Sequence, residues 1–226
     1  MYAKYFKRSI DIFCALAAII VFSWLYIILA VLVRVKLGSP IIFKQPRPGK
    51  DEKIFTLYKF RTMTDERDEN GELLADSVRL TKFGKLLRRT SLDELPEAFN
   101  ILFGHMSVVG PRPQLVRDMV FMNIRQRERH SVRPGLSGLA QIKGRNGITW
   151  EEKLEYDLQY IEKITFWGDF KIVFFTVWTA FFKQDGISQD GMDTAEDLGD
   201  YLLETGKIDR NNYDEKQSEA KELLNI

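Results

Sequence analysis

The apolar positions of the chain fall into one long N-terminal block and several short ones. From Ile12 to Val33 no charged residue interrupts the run. A helix of about 20 apolar residues covers the roughly 30 Å hydrocarbon core of a bilayer, so this block predicts a helix that enters a membrane. The alternative is a buried core helix, but a soluble helix of this length usually keeps a polar face and this one has none. The run exceeds the apolar region of a cleaved signal peptide, and no small-x-small site precedes Arg34 and Lys36, so it is expected to stay in the mature chain. Basic residues stand on both flanks, with Lys4, Lys7 and Arg8 before the run and Arg34, Lys36, Lys44, Arg47 and Lys50 after it. A single-pass anchor concentrates Lys and Arg on its cytoplasmic side, so the two-sided excess predicts a re-entrant helix whose ends return to one face. Such a bend is commonly made by proline, whereas the middle of this run carries Ser23-Trp24.

Downstream, the apolar blocks shorten and alternate with turn residues. After Gly38-Ser39-Pro40, the runs Ile41 to Phe43 and Ile54 to Phe60, separated by a turn at Pro46-Arg47-Pro48-Gly49, predict a short β-hairpin. The polar stretch from Thr64 to Ser77, around Glu69-Asn70-Gly71, reads as an exposed loop. Helices are expected over Thr81–Arg89, with its basic residues on one side, over Asp93–Phe103, and over the charged segment Gln114–Arg129. Thr165 to Phe182 is dense in Phe and Trp but interrupted by Asp169 and Lys171, which predicts a helix lying along a membrane interface, with plain core as the alternative. Past Gln184 the chain is acidic, with a helix or two between Thr194 and Leu224 and no assignable chemistry. The expected fold is α+β and mainly helical: a membrane-embedded re-entrant helix over 1–37, a small cytoplasmic catalytic domain with amphipathic interfacial helices and a short β-hairpin over 38–183, and an acidic C-terminal extension over 184–226.

Composition narrows the chemistry. With 226 residues, 45% of them apolar, the chain can bury a real core and is not disordered. The net charge of +1 conceals a basic stretch from Lys44 to Arg89 and an acidic one from Asp185 onward. Cys14, the single cysteine, lies inside the apolar run, which excludes a disulfide framework and a thiol or zinc cluster. The two histidines, His105 and His130, lack ligand spacing, so a transition metal is not expected, while the carboxylates leave magnesium open. No nucleic-acid partner is expected.

Three segments carry candidate chemistry. In Arg88-Arg89-Thr90-Ser91-Leu92-Asp93-Glu94-Leu95-Pro96-Glu97, adjacent carboxylates follow two arginines. Ser91 and Glu94 fit a capping box, and either Ser91 or Asp93 can be the cap, Pro96 being better placed with Asp93. The same carboxylates, held ionised by a helix N-terminus and arginines, also suit a nucleophile and a ligand for a hard cation. In Val109-Gly110-Pro111-Arg112-Pro113, Pro111 and Pro113 fix the backbone on either side of Arg112, which suits an anion clamp; an exposed turn is the alternative. The stretch Arg133 to Asn146 is glycine-rich, ends in Gly144-Arg145-Asn146, and could bring backbone amides to phosphates, although it has neither Walker nor dinucleotide spacing.

Together these segments resemble the bacterial sugar transferase family, the monotopic polyprenyl-phosphate phosphoglycosyl transferases. The resemblance runs from about Lys4 to Phe182 through Lys7-Arg8-Ser9-Ile10-Asp11, Gly38-Ser39-Pro40, Phe43-Lys44-Gln45, Lys59-Phe60-Arg61-Thr62-Met63, Leu80-Thr81-Lys82-Phe83-Gly84, Arg88 to Asn100, Met106 to Pro113 and Arg133 to Gly138. It implies transfer of a phosphosugar from a UDP-sugar to a polyprenyl phosphate (undecaprenyl phosphate), releasing UMP, through an intermediate on Asp93, with Mg2+ on Glu94. Arg88, Arg112 with Pro111 and Pro113, Arg145 and Lys59 are the implied substrate-binding residues. The implied setting is the cytoplasmic face of the bacterial inner membrane, among membrane lipids, with a homodimer and downstream glycosyltransferases as further candidate partners. Short members commonly have Ser-Pro at the bend, where this chain has Ser23-Trp24. Rival readings are a catalytically silent membrane scaffold and a hydrolase of UDP-sugars.

Overall fold

The computed structural model describes residues 1–144, 147–182 and 196–224. A first turn, α1 (Tyr2–Tyr5), leads into α2 (Lys7–Val21), and α3 (Ser23–Leu37) follows. The last two meet at 64°, with Phe22 between them at ψ 12°. At 15 residues and about 1.5 Å per residue, each arm falls short of the roughly 30 Å apolar core of a bilayer. Among the described residues no single helix is long and apolar enough to cross a membrane, whereas the bent pair meets that test together. The break precedes Ser23-Trp24 by one residue and uses no proline.

Docking of the two arms on different elements sets the bend. Asp11 of α2 is buried and accepts from Ser107 Oγ at 2.8 Å and Val108 N at 3.0 Å. Arg8 donates to the carbonyls of Ile101 at 2.7 Å and Leu102 at 3.0 Å, closing the end of a later helix. On α3, Leu29, Val33 and Leu37 pack with Phe60 and Leu87, and Tyr26 Oη donates to Leu95 O at 2.6 Å. The opposite faces leave Phe13, Ile20, Trp24, Ile27 and Val35 exposed.

The expected hairpin is present as β1 (Ile42–Pro48) antiparallel to β2 (Ile54–Phe60), with Ile42 opposite Phe60 and Pro48 opposite Ile54. Pro46-Arg47-Pro48 is strand, not turn; the reversal comes at 49–53, around a short 3-10 turn. Among the described residues only one strand pairs with β1, so half of its N–H groups face away from the ladder and prolines fit there. The free edge of β2 is taken by Asn100, which accepts from Tyr58 N at 3.0 Å and donates to Thr56 O at 2.7 Å.

The loop after β2 is pinned by Asp68, whose Oδ1 accepts from the amides of Asn70 and Glu72, both at 2.9 Å. It ends in α4 (Asp76–Arg79), followed by α5 (Lys82–Arg89) with Thr81 as N-cap. A Cβ on Gly84 would sit 1.9 Å from Thr62 O, so only glycine lets α5 lie this close to the end of β2.

Two expected helices are broken. Asp93–Phe103 divides into a 3-10 turn, Leu92–Glu94, and α6 (Glu97–Phe103), because Pro96 has no N–H to continue a helix and begins a new one instead. Gln114–Arg129 divides into α7 (Val116–Met119), α8 (Ile124–Arg127) and a 3-10 turn at Glu128–Ser131. Asn123 and Gln126 form a reciprocal cap at 2.9 Å in each direction, and these local bonds restart the backbone.

Two short strands, β3 (Ser107–Val109) and β4 (Gly135–Ser137), pair in parallel. After α9 (Leu139–Lys143) comes α10 (Trp150–Glu162), which opens with a capping box between Thr149 and Glu152. The aromatic helix α11 (Phe166–Phe182) buries Ile172 and leaves Phe166, Trp167, Phe170 and Phe174 exposed. Asp169, read as an interruption, is buried and accepts from Lys7 Nζ at 2.6 Å and from the hydroxyls of Tyr2 and Tyr160, both at 2.9 Å. Lys7 and Arg8, read as topology signals, therefore have structural partners. The acidic extension supplies α12 (Leu198–Glu204) and α13 (Arg210–Leu224). Leu198 packs with Met122, Trp150 and Leu154, and Leu198 N donates to Asp118 Oδ1 at 2.9 Å.

Candidate active site

Four short pieces of chain converge on the carboxylate pair. Ser91, in a left-handed conformation at φ 54°, turns the chain out of α5 and into the 3-10 turn that holds Asp93 and Glu94. Neither open cap assignment holds, since no side chain caps this turn or α6. Glu94 instead accepts through Oε1 from Lys59 Nζ at 2.8 Å and from an Arg112 Nη at 2.6 Å. Lys59 comes from β2 and Arg112 from the loop after β3, so the sheet and the Pro-Arg-Pro segment both meet the turn. Glu97, at the start of α6, is 2% exposed and lies 3.2 Å from Lys59 Nζ. The oxygen at that distance is Oε1, so Glu97 is ion-paired with Lys59 although the contact misses hydrogen-bond geometry.

The electrostatics separate the carboxylates. For Glu94, burial opposes ionisation, but Arg112 and Lys59 outweigh it and hold the group well below the usual carboxylate range. Asp93 is 7% exposed; burial first, then repulsion from Glu94, raises it to about 6, against the pull of Lys59, Arg112 and Arg88. Glu97 is raised to about 7 by burial and then by Glu94. The cluster thus pairs one firmly ionised carboxylate with two that titrate near neutrality, the separation expected where acids have different tasks.

Arg112 is held by its backbone as much as by its side chain. Pro111 O accepts from Gly135 N at 2.9 Å, Arg112 O from Arg129 at 2.6 Å and Pro113 O from Arg47 at 3.2 Å. Three consecutive carbonyls therefore have three separate donors, and Pro111 and Pro113 serve this scaffold. Arg129 is itself paired with Asp157 of α10 at 2.7 Å, both 2% exposed. Arg88 donates from Nε to Thr62 Oγ1 at 3.0 Å, which fixes it beside the turn. Arg145 lies outside the described residues.

The structure thus brings together Asp93, Glu94, Lys59, Arg112 and Arg88. Sequence reasoning missed Glu97, Arg129 and Asp157. Glu97 follows Asp93 by four and Glu94 by three, the helical spacing that shares a face, and that signal was available. The pairing of Arg129 with Asp157 joins α10 to the turn after α8 and had no local signature.

The bacterial sugar transferase family matches residues 2–183. The chain is 48% identical to EpsL, an uncharacterised sugar transferase of Bacillus subtilis (strain 168), over 84% of this chain and 94% of that protein. It is 42% identical to the UDP-glucose:undecaprenyl-phosphate glucose-1-phosphate transferase of Klebsiella pneumoniae over 79% of this chain, and spans 41% of that protein's length. It is 38% identical to the UDP-N-acetylgalactosamine-undecaprenyl-phosphate N-acetylgalactosaminephosphotransferase of Aeromonas hydrophila over 77% of this chain and 43% of that protein. A match of this extent, over the segments that build the carboxylate cluster, places the chain in the bacterial sugar transferase family.

Proposed function

We propose that the chain transfers a phosphosugar from a UDP-sugar to undecaprenyl phosphate, releasing UMP and giving a polyprenyl-diphosphate sugar. The observation that carries this reading is the pair of buried Asp93 and half-buried Glu94 beside Lys59 and Arg112, in a family with relatives named for this reaction. An Asp93 carboxylate oxygen attacks the phosphorus nearer the sugar, and the bond from that phosphorus to the bridging oxygen breaks, so UMP leaves with that oxygen. A phosphate oxygen of the acceptor then attacks the same phosphorus and frees the Asp93 carboxylate. Arg112, Lys59 and Arg88 supply positive charge where the diphosphate lies. Ionised Glu94 orients Arg112 and Lys59.

The residues fit a magnesium ion. Hard carboxylate oxygens suit it, it needs only one or two of them beside substrate phosphates, and Glu97, ion-paired with Lys59 at 3.2 Å, adds a second carboxylate near Glu94. Glu94 would hold the ion, which would neutralise charge on the departing UMP. The bent α2–α3 pair and the aromatic face of α11 support a re-entrant anchor and an interfacial helix, with the site on the cytoplasmic face of the bacterial inner membrane. The relatives name glucose and N-acetylgalactosamine at 42% and 38% identity, so the sugar is left to a substrate panel.

The test is a radiolabelled UDP-sugar assay with undecaprenyl phosphate and magnesium, on wild type and Asp93→Asn. Lipid-linked product from wild type alone is expected, with a phosphosugar adduct on intact wild-type protein in the absence of lipid. Equal background from both proteins overturns the transferase reading, and release of free sugar phosphate without lipid turns it into hydrolysis.

A further inference from the structure

The family match ends at residue 183, yet the described part of the acidic extension, 196–224, is fastened to the domain that precedes it. Leu198, 2% exposed, packs with Met122, Trp150 and Leu154. Trp150 Nε1 donates to Glu196 O at 3.2 Å, and Arg117 pairs with Asp197. Phe121 meets both helices of the extension: a Cβ on Gly199 of α12 would stand 2.5 Å from its ring, and the Tyr213 ring of α13 is centred 5.7 Å away. Most of these contacts fall on α7 and the turn after it. At four residues α7 is too short to hold its place by its own hydrogen bonds, so its position is set by what packs on it.

That position bears on Arg112. Asp118, buried in α7, divides its carboxylate oxygens between two parts of the chain: Oδ2 accepts from Leu115 N and Oδ1 from Leu198 N, both at 2.9 Å. Leu115 is the N-cap of α7 and stands three residues after Arg112. The carbonyls of Pro111, Arg112 and Pro113 are held by Gly135, Arg129 and Arg47, and the Leu115 amide by Asp118. The first three donors lie within the family-matched stretch; only Asp118 draws its second partner from the extension. A buried carboxylate left with one donor must shift or admit water, so the Leu198 amide fixes where Asp118, and with it Leu115, sits. Asp118 also attracts Arg47, the donor to Pro113 O.

Resting on the transferase reading, we infer that the C-terminal extension is a positioning clasp for the Pro-Arg-Pro segment. The Leu198 amide holds Asp118, and Asp118 holds the end of the segment from which Arg112 reaches Glu94 at 2.6 Å. The extension thereby enters UDP-sugar binding by way of Arg112.

The test separates the amide from the side chain that it carries, in the full-length protein. Leu198 is the first residue of α12, and Asp197 before it has φ −76° and ψ 154°, a setting that accepts a following proline. Leu198→Pro therefore deletes the donor to Asp118, whereas Leu198→Ala keeps the donor and loses more of the buried side chain. Leu198→Pro is expected to raise KM for the UDP-sugar about fivefold to tenfold, the size of one buried hydrogen bond, with kcat within about twofold. Amide exchange over 109–119, read by mass spectrometry, is expected to quicken with it. Leu198→Ala is expected to lower the unfolding temperature while KM and that exchange stay within about twofold of wild type. Asp118→Asn, which keeps one acceptor oxygen for two amides, reads the same bond if Leu198→Pro does not fold, with the same rise in KM expected. Equal rises in KM from Leu198→Pro and Leu198→Ala, or wild-type KM and exchange in Leu198→Pro or Asp118→Asn, overturn the clasp. If wild type forms no lipid-linked product, the transferase reading fails and the exchange comparison alone decides the clasp.

Discussion

The guanidinium of Arg129 donates to the backbone oxygen of Arg112 at 2.6 Å while its own charge is matched by Asp157. A buried ion pair thus serves as the footing of Arg112, whose side chain meets Glu94.

Arg129→Ala is expected to cost about 3–5 kcal/mol of stability, because Asp157 is left buried with an uncompensated charge. Replacing both, as Arg129→Met with Asp157→Leu, is expected to restore most of the stability but to raise KM for the UDP-sugar, since Arg112 O has lost its donor. Denaturant unfolding in detergent and steady-state kinetics check the two parts separately.

As the proposed nucleophile, Asp93 attacks only when ionised, so with the group raised to about 6 kcat/KM is expected to rise with pH through that value and level off above it. Glu94→Gln removes a repelling charge and is expected to move this inflection about one unit toward acid, though the maximal rate falls. Lys59→Met removes an attracting cation and moves it toward alkali. Profiles of kcat/KM against pH for the three proteins decide the matter.

Glu97 is raised to about 7 in the folded chain, first by burial and then by Glu94. Unfolded, it titrates near 4.3, roughly the free glutamate value, so the folded state binds the extra proton between these two values. Its contribution to stability is therefore full below about 4.3 and lost as pH rises through about 7. Glu97→Gln is expected to flatten that slope and to raise stability at pH 8 by about 1–3 kcal/mol. Thermal unfolding of the ligand-free protein across this range is the measurement.

Lys4→Cys and Lys36→Cys, each in a Cys14→Ser background, place one thiol at each end of the bent pair. Both are expected to react with a membrane-impermeant maleimide from the cytoplasmic side. Reaction from opposite sides would replace the re-entrant anchor with a span.

What the sequence made legible follows the range over which each signal acts. Asp93 and Glu94 stood out because they are adjacent to each other and follow two arginines closely, and the hairpin because two short apolar runs flank turn residues. The division of Gln114–Arg129 was hidden because its helical period is real; only the reciprocal Asn123–Gln126 bonds show that the chain restarts. The β3–β4 pair brings Ser107 beside Gly135, through strands too short to show alternation. Asp169 was misread because its partners, Lys7, Tyr2 and Tyr160, are supplied by other elements.

Asp11 changes how a detergent-free form of this enzyme should be sought. Cutting away the first 37 residues would leave Ser107 Oγ and Val108 N without their carboxylate, and uncap α6, the helix that begins at Glu97. It would also bare the apolar cluster around Phe60 and Leu87. Solubilisation by truncation therefore dismantles the machinery it is meant to liberate. Repainting the outward positions Phe13, Ile20, Trp24 and Ile27 with polar residues keeps every inward fastening and is the route the architecture favours.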